Sequence, residues 1–155
     1  MQKITQLLTE WIPGDLHSLK WFRARGVGQR LAYKYHSGGT LRKVGPGIYS
    51  RAKENLDWMG GVRLLQEELE KKLHIAHRNS LELLGQGHYG VMEKRPVVFL
   101  WTYEKAKLPK WFQEIDFGVD FYLKSSSLFG LEIGLIDYES ESGIKTKISS
   151  RELAI

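Results

Sequence analysis

Six glycines and a proline crowd between Gly26 and Gly47, and they cut the first part of this chain into pieces that suit only small, closely joined elements. Glycine enters left-handed backbone freely and weakens element interiors, and proline removes a backbone donor, so such clusters mark turns. The breaks fall at Arg25-Gly26-Val27-Gly28, Gly38-Gly39 and Gly45-Pro46-Gly47. Between the first two, residues 29–37 place Leu31, Ala32 and Tyr35 on one helical face and Gln29, Arg30, Tyr33, His36 and Ser37 on the other. Upstream, Leu16, Leu19 and Phe22 recur every three residues behind Asp15, which predicts a helix over 16–24 with the Asp15 carboxylate as its N-cap. Ile4, Leu7, Leu8 and Trp11 form the stripe of a short first helix, stopped by Pro13 and Gly14. Beyond Gly39, two β-prone runs, 40–44 and 48–51, flank the glycine-proline-glycine tip and predict a hairpin. Helix, turn, helix and basic hairpin in that order predict a winged helix-turn-helix over residues 1–60.

The pattern loosens over 53–61, at Lys53-Glu54-Asn55 and Gly60-Gly61, which marks a seam before a second domain over 61–155. There Val62, Leu65, Leu69 and Leu73 predict a connecting helix over 62–73, supported by Glu68 and Lys72 one turn apart. A further helix is expected over 77–84, and strands over 97–103, 117–124 and 131–138. The fold class expected is α+β, a winged helix followed by a mixed domain. Near the end, Ser149-Ser150-Arg151-Glu152 has the form of a capping box, yet the helix it announces has three residues after the Glu. The expectation is that the natural protein continues beyond residue 155, or that a partner completes this element.

Charge divides the chain in the same place. Residues 1–53 carry ten Lys or Arg against two acids, a net of +8, whereas the remainder carries thirteen against sixteen, a net of −3. A basic third on a mildly acidic remainder points to a polyanion as partner of the first part. On the outer face of the 29–37 helix, Gln29, Arg30 and Tyr33 are the candidates for reading bases. Arg can hold guanine through two hydrogen bonds and Gln adenine likewise. Lys34, on the flank, Arg42 and Lys43, on the hairpin, are candidates for phosphate, with Arg23 or Arg25 assisting. Alternation along a strand sends Arg42 and Lys43 to opposite faces, so one of the two is expected to touch DNA. The plainer reading is the solvated polar face of a surface helix. The competing functional reading is a protein-interaction module that neutralises a toxin by direct contact.

Other chemistries find little footing. No cysteine is present, which removes thiolate ligands and nucleophiles and permits a reducing cytoplasm, the expected location. The longest apolar run, 97–101, is far short of the roughly 18 residues that cross a bilayer, so no membrane association is expected. His74, His77 and His88 lack the further donor and closed geometry of a zinc site, and the serines at 125–127 have no evident base. Neither a catalytic residue, a metal nor a cofactor is expected. The 18 aromatic residues, dense over 101–129, are expected to pack the core.

Several of these segments, taken in order, resemble the AbiEi family of type IV toxin-antitoxin antitoxins. Gly38-Gly39-Thr40-Leu41-Arg42-Lys43-Val44-Gly45-Pro46-Gly47-Ile48-Tyr49 is similar to the family's wing. His74-Ile75 with Ser80-Leu81-Glu82-Leu83-Leu84-Gly85-Gln86-Gly87-His88-Tyr89 is a more specific match, and Leu108-Pro109-Lys110-Trp111, Leu128-Phe129 and the closing seven residues add to it. Ala76-His77-Arg78 departs from the small residues common in the family. The resemblance implies a transcriptional regulator whose winged helix binds inverted repeats in its own promoter in phage defence. It also implies a carboxy-terminal antitoxin domain, and a nucleotidyltransferase-like toxin countered without a stable complex.

Overall fold

The computed structural model describes residues 3–75, 96–102, 107–125 and 135–149. Helix α1 (Lys3–Glu10) buries Leu7 and ends ahead of Gly14, whose φ is +86°. A Cβ there would stand 2.9 Å from the Asp57 Cβ, so glycine is needed for both its backbone and its bareness. Trp11 is buried and its indole N–H donates to the Asp15 carbonyl at 3.0 Å.

Residues 16–24 are not one helix. Leu16–Ser18 forms strand β1, and helix α2 spans only Leu19–Arg23. Asp15 does not cap it: its Oδ1 accepts from the Leu16 N–H and from Arg63 Nε, each at 2.9 Å. The three-residue spacing misleads here because Leu16 and Phe22 serve different cores. The backbone of β1 bonds a distant strand instead of its own next turn.

From Val27 onward the glycine punctuation is obeyed. Gly26 has a φ of +79°, Val27 is buried, and α3 (Gln29–Ser37) starts immediately after Gly28. Its end is closed by the Gly39 N–H on the His36 carbonyl (3.0 Å) and the Thr40 N–H on Tyr35 (3.1 Å), the paired bonds of a helix stop with left-handed glycine. Strands β2 (Leu41–Gly45) and β3 (Ile48–Arg51) make the expected hairpin, and β1 pairs antiparallel to β3, giving a three-stranded sheet of order β1-β3-β2. A register shift between Lys43 and Gly45 puts a bulge in β2.

Helix α4 (Trp58–Arg63) begins before the predicted 62–73 helix. The Asp57 side chain caps it at the Met59 N–H (2.9 Å), and a π-helical turn, Leu64–Glu68, extends it. Gly60 and Gly61 are inside this element, not in a loose seam. A Cβ on Gly61 would lie 2.8 Å from Phe117 Cζ, and one on Gly60 3.0 Å from Asp15 Oδ1. The helix finishes at Glu68, so Glu68 and Lys72 do not sit one turn apart on one helix as expected, and Leu73 begins strand β4 (Leu73–Ile75).

The second sheet adds β5 (Val97–Thr102), β6 (Asp120–Ser125), β7 (Leu135–Glu139) and β8 (Lys145–Ser149) in the order β6-β5-β4-β8-β7, with helix α5 (Lys110–Glu114) between β5 and β6. β5 runs parallel to β6 and β4 parallel to β8. Gln66 bridges β4 and β8 beside the Ile75–Ile148 pair: it donates to the Leu73 and Lys147 carbonyls and accepts from the Lys147 N–H. The strands expected over 97–103, 117–124 and 131–138 correspond to β5, β6 and β7, while β4 and β8 have no counterpart in the sequence reading. The helix expected over 77–84 and residues 150–152 of the capping box lie outside the described residues.

Two cores result. The smaller joins Leu7, Trp11, Phe22, Val27, Ala32, Leu41 and Tyr49 beneath the first helices. The larger lies between the second sheet, α4 and α5, and also takes in Leu16 and Ile48 from the first sheet. The architecture is mixed α and β, as expected.

Candidate nucleic-acid interface

Helix α3 turns Ala32 into the small core and leaves Gln29, Arg30, Tyr33 and Lys34 exposed. Tyr33 is 56% exposed, an aromatic ring that the core does not use. Three of these residues line a shallow groove of about 490 Å³ between α3 and the hairpin, together with Lys43, Gly47, Leu19 and Tyr49. Gln29, Arg30, Tyr33 and Lys43, which the sequence reading names separately, are thus brought together. Tyr49 floors the groove, its ring edge-on to Phe22 at 5.7 Å. Burial, with Tyr33 nearby, raises its hydroxyl above the usual tyrosine range. His36 holds α3 to β2 through Nδ1 and the Leu41 carbonyl at 3.3 Å, and its ring is edge-on to Tyr33.

The hairpin settles which of its two cations shares this face. Lys43 lines the groove beside α3, whereas Arg42 lines a separate groove behind the hairpin and donates through Nη2 to the Glu54 carbonyl at 3.2 Å. The structure therefore does not bring Arg42 to the α3 face. Arg25 is also diverted: Nε donates to Glu10 at 3.2 Å, Nη1 to the Trp21 carbonyl, and the guanidinium lies 4.0 Å above the Trp21 ring. Lys20 pairs with Glu70 at 3.0 Å and Arg51 with Glu54. Arg23, at the end of α2, and Lys34 are exposed. Among the described residues, Arg23, Arg30, Lys34 and Lys43 form no ion pair. Their charge is available to an anionic surface.

A buried ionic cluster, absent from the sequence reading, sits behind β1. Arg63 donates through Nε to Asp15, through Nη1 to Glu67 at 3.0 Å, and through Nη2 to Glu68 at 2.7 Å and the Leu16 carbonyl at 2.8 Å. Glu68 accepts from the His17 Nδ1–H and from the Ser18 N–H and hydroxyl, each at 2.7 Å. His17 stacks on Trp21 at 3.7 Å and meets the Trp11 ring edge. Burial pushes the His17 imidazole below its ordinary range, against the pull of Glu68 and Asp15. Burial likewise raises Asp15 despite Arg63. For Glu68, burial works upward but is outweighed by the hydrogen bond from His17, the charges of His17 and Arg63, and the Ser18 N–H, which together hold its carboxyl at about 2. These groups satisfy one another and tie β1 to α4 and the turn that follows it. The hint in the sequence is that Arg63 sits between the apolar Val62 and Leu64.

A group whose pKa is depressed on folding contributes stability above its unfolded value, and that contribution is lost as pH falls through the folded value. For Glu68 the window runs from 4.5 down to about 2. Thermal melts between pH 6 and pH 2 are expected to show the wild type losing stability across that window more steeply than a Glu68→Gln variant. Parallel profiles would contradict the role given to this carboxylate.

Of the three histidines considered for a metal, His74 is buried in β4, and His77 and His88 lie outside the described residues. Among the described residues no helix is long and apolar enough to cross a membrane. No curated protein matches the chain. The family model of a transcriptional regulator, the AbiEi antitoxin N-terminal domain, matches residues 1–92. The match contains α3, the hairpin and the 74–89 segment on which the resemblance rests.

Proposed function

The chain belongs to the AbiEi antitoxin family of transcriptional regulators, and from that premise we propose that it is a cytoplasmic antitoxin of a type IV system that binds its own promoter and represses it. Residues 1–60 form a winged helix-turn-helix in this reading, with α3 as the recognition helix in the major groove and the β2–β3 hairpin as the wing. Gln29, Arg30 and Tyr33 read base edges, while Lys34 and Lys43 hold phosphates, with Arg23 placed to assist. Arg42 and Arg25 are assigned no direct contact, because each is engaged elsewhere. Residues 61–155 belong to the antitoxin domain, whose counterpart is a nucleotidyltransferase-like toxin met without a stable complex. No reaction is assigned to the chain itself.

The observation that carries this reading is the convergence of Gln29, Arg30, Tyr33 and Lys43 on one groove. It faces a surface on which the cations are unpaired among the described residues. Each neutralised phosphate releases counterions and adds about 0.9 to the log–log salt slope of binding. Gel-shift titrations on the promoter over a salt series are expected to show the slope of Lys43→Ala reduced by about 1, with losses alike on all sequences. Arg42→Ala is expected to leave the slope unchanged. Equal slope losses for both would contradict the assignment of the hairpin's two faces.

A further inference from the structure

The segment Leu108-Pro109-Lys110-Trp111 carries α5, and α5 is fixed firmly to the larger core. Phe112 is buried with its ring centroid 5.2 Å from those of Phe117 and Phe121, and Gln113 Nε2 donates back to the Leu108 carbonyl at 2.9 Å. The neighbouring Trp111 points the other way, onto the back of the hairpin. A Cβ built on Gly45 would stand 2.6 Å from Cε3 of the Trp111 ring, so strand backbone and indole are in direct contact and no side chain fits between them. Gly45 is also where the register of β2 shifts against β3, two residues after Lys43. Since a bulge locally bends and twists its strand, whatever presses on it helps to set the direction of the hairpin beyond.

We propose that Trp111 is a positioning residue for DNA binding: it braces the wing from behind at Gly45, fixes the bulge, and so aims Lys43 across the groove toward the partner of α3. The brace originates in the second half of the chain and acts on the first. It thereby adds a direct contact from the second half of the chain to the wing, beside the ionic cluster that joins the two halves behind β1. The DNA readout rests on the function proposed above, but the brace itself has a readout that needs no DNA.

Two measurements on the full chain test it. Amide hydrogen exchange at residues 43–48 reports whether the wing is held, because exchange follows local opening where few contacts retain a segment. Trp111→Ala, which removes the brace, and Gly45→Ala, which drives a methyl into it, are both expected to speed exchange there relative to Leu65 and Leu100 in the core. Trp111→Phe is expected to restore much of the protection. In salt-series titrations, Trp111→Ala is expected to lower the slope by about 0.9, as if one phosphate contact were lost. Combined with Lys43→Ala, it is expected to weaken binding by no more than about twofold beyond Lys43→Ala alone, since effects carried by one contact do not add. Unchanged exchange at the hairpin, or losses that add in full, would overturn the inference. A wild type that does not bind DNA would overturn the proposed function, while the exchange result would still decide the brace.

Discussion

Replacing Arg63 by Met is expected to lower folding stability by about 3–5 kcal/mol, the effect of stranding buried charge by removing its partner. Asp15 and Glu68 have side chains 2% and 7% exposed, and the Arg63 guanidinium lies within 2.9 Å of both. Without it, two carboxylates face each other's field in a site that water hardly reaches, and the Leu16 carbonyl loses a donor. Such a loss is a large part of the roughly 5–15 kcal/mol that holds a typical domain folded. Arg63→Lys is expected to recover little, because a single ammonium cannot spread its donors to Asp15, Glu67, Glu68 and the Leu16 carbonyl as the planar fork does. Adding Asp15→Asn and Glu68→Gln to Arg63→Met is expected to recover a substantial part, since the penalty lies in the abandoned charges. Urea denaturation with a constant slope measures all of these. An Arg63→Met variant within about 1 kcal/mol of wild type, below the cost of a broken buried pair, would contradict this account of the cluster.

What the sequence makes legible is what is decided locally. The bounds of α3 are written in Gly28 and Gly38-Gly39, because the stop needs left-handed backbone at Gly39 and an outward-facing polar stripe needs no tertiary information. The hairpin is legible for the same reason. Strand β1 is not: three residues, Leu16 to Ser18, become extended only because β3, thirty or more positions away along the chain, offers its backbone. Strands β4 and β8 are hidden in the same way, and β4 begins at Leu73, the last residue of what reads as an amphipathic helix. Gly60 and Gly61 look like a loosening until Phe117 and Asp15 are seen pressing on them. Within the interface, residue identity on α3 is readable, but the side of the hairpin is not. Alternation says that Arg42 and Lys43 diverge, and only the packing of Trp111 and Glu54 behind the strand shows which one shares the groove with Arg30.

The central claim is that the outer face of α3 reads DNA sequence, and Arg30 is where it is most exposed to test. One well-formed bidentate contact from Arg to guanine discriminates by about 1–3 kcal/mol, roughly 5- to 150-fold in the ratio of affinities. Arg30 is exposed, lines the groove with Gln29 and Tyr33, and supports no buried contact of the fold, so its truncation is expected to leave folding intact. The decisive measurement is the affinity of wild type and Arg30→Ala for the promoter duplex and for a scrambled duplex of the same composition at one fixed salt concentration. The account predicts that the ratio between the two duplexes collapses by about 5- to 150-fold in the variant, mostly through weaker promoter binding. Equal losses on both duplexes, or a wild type that does not distinguish them, would contradict it.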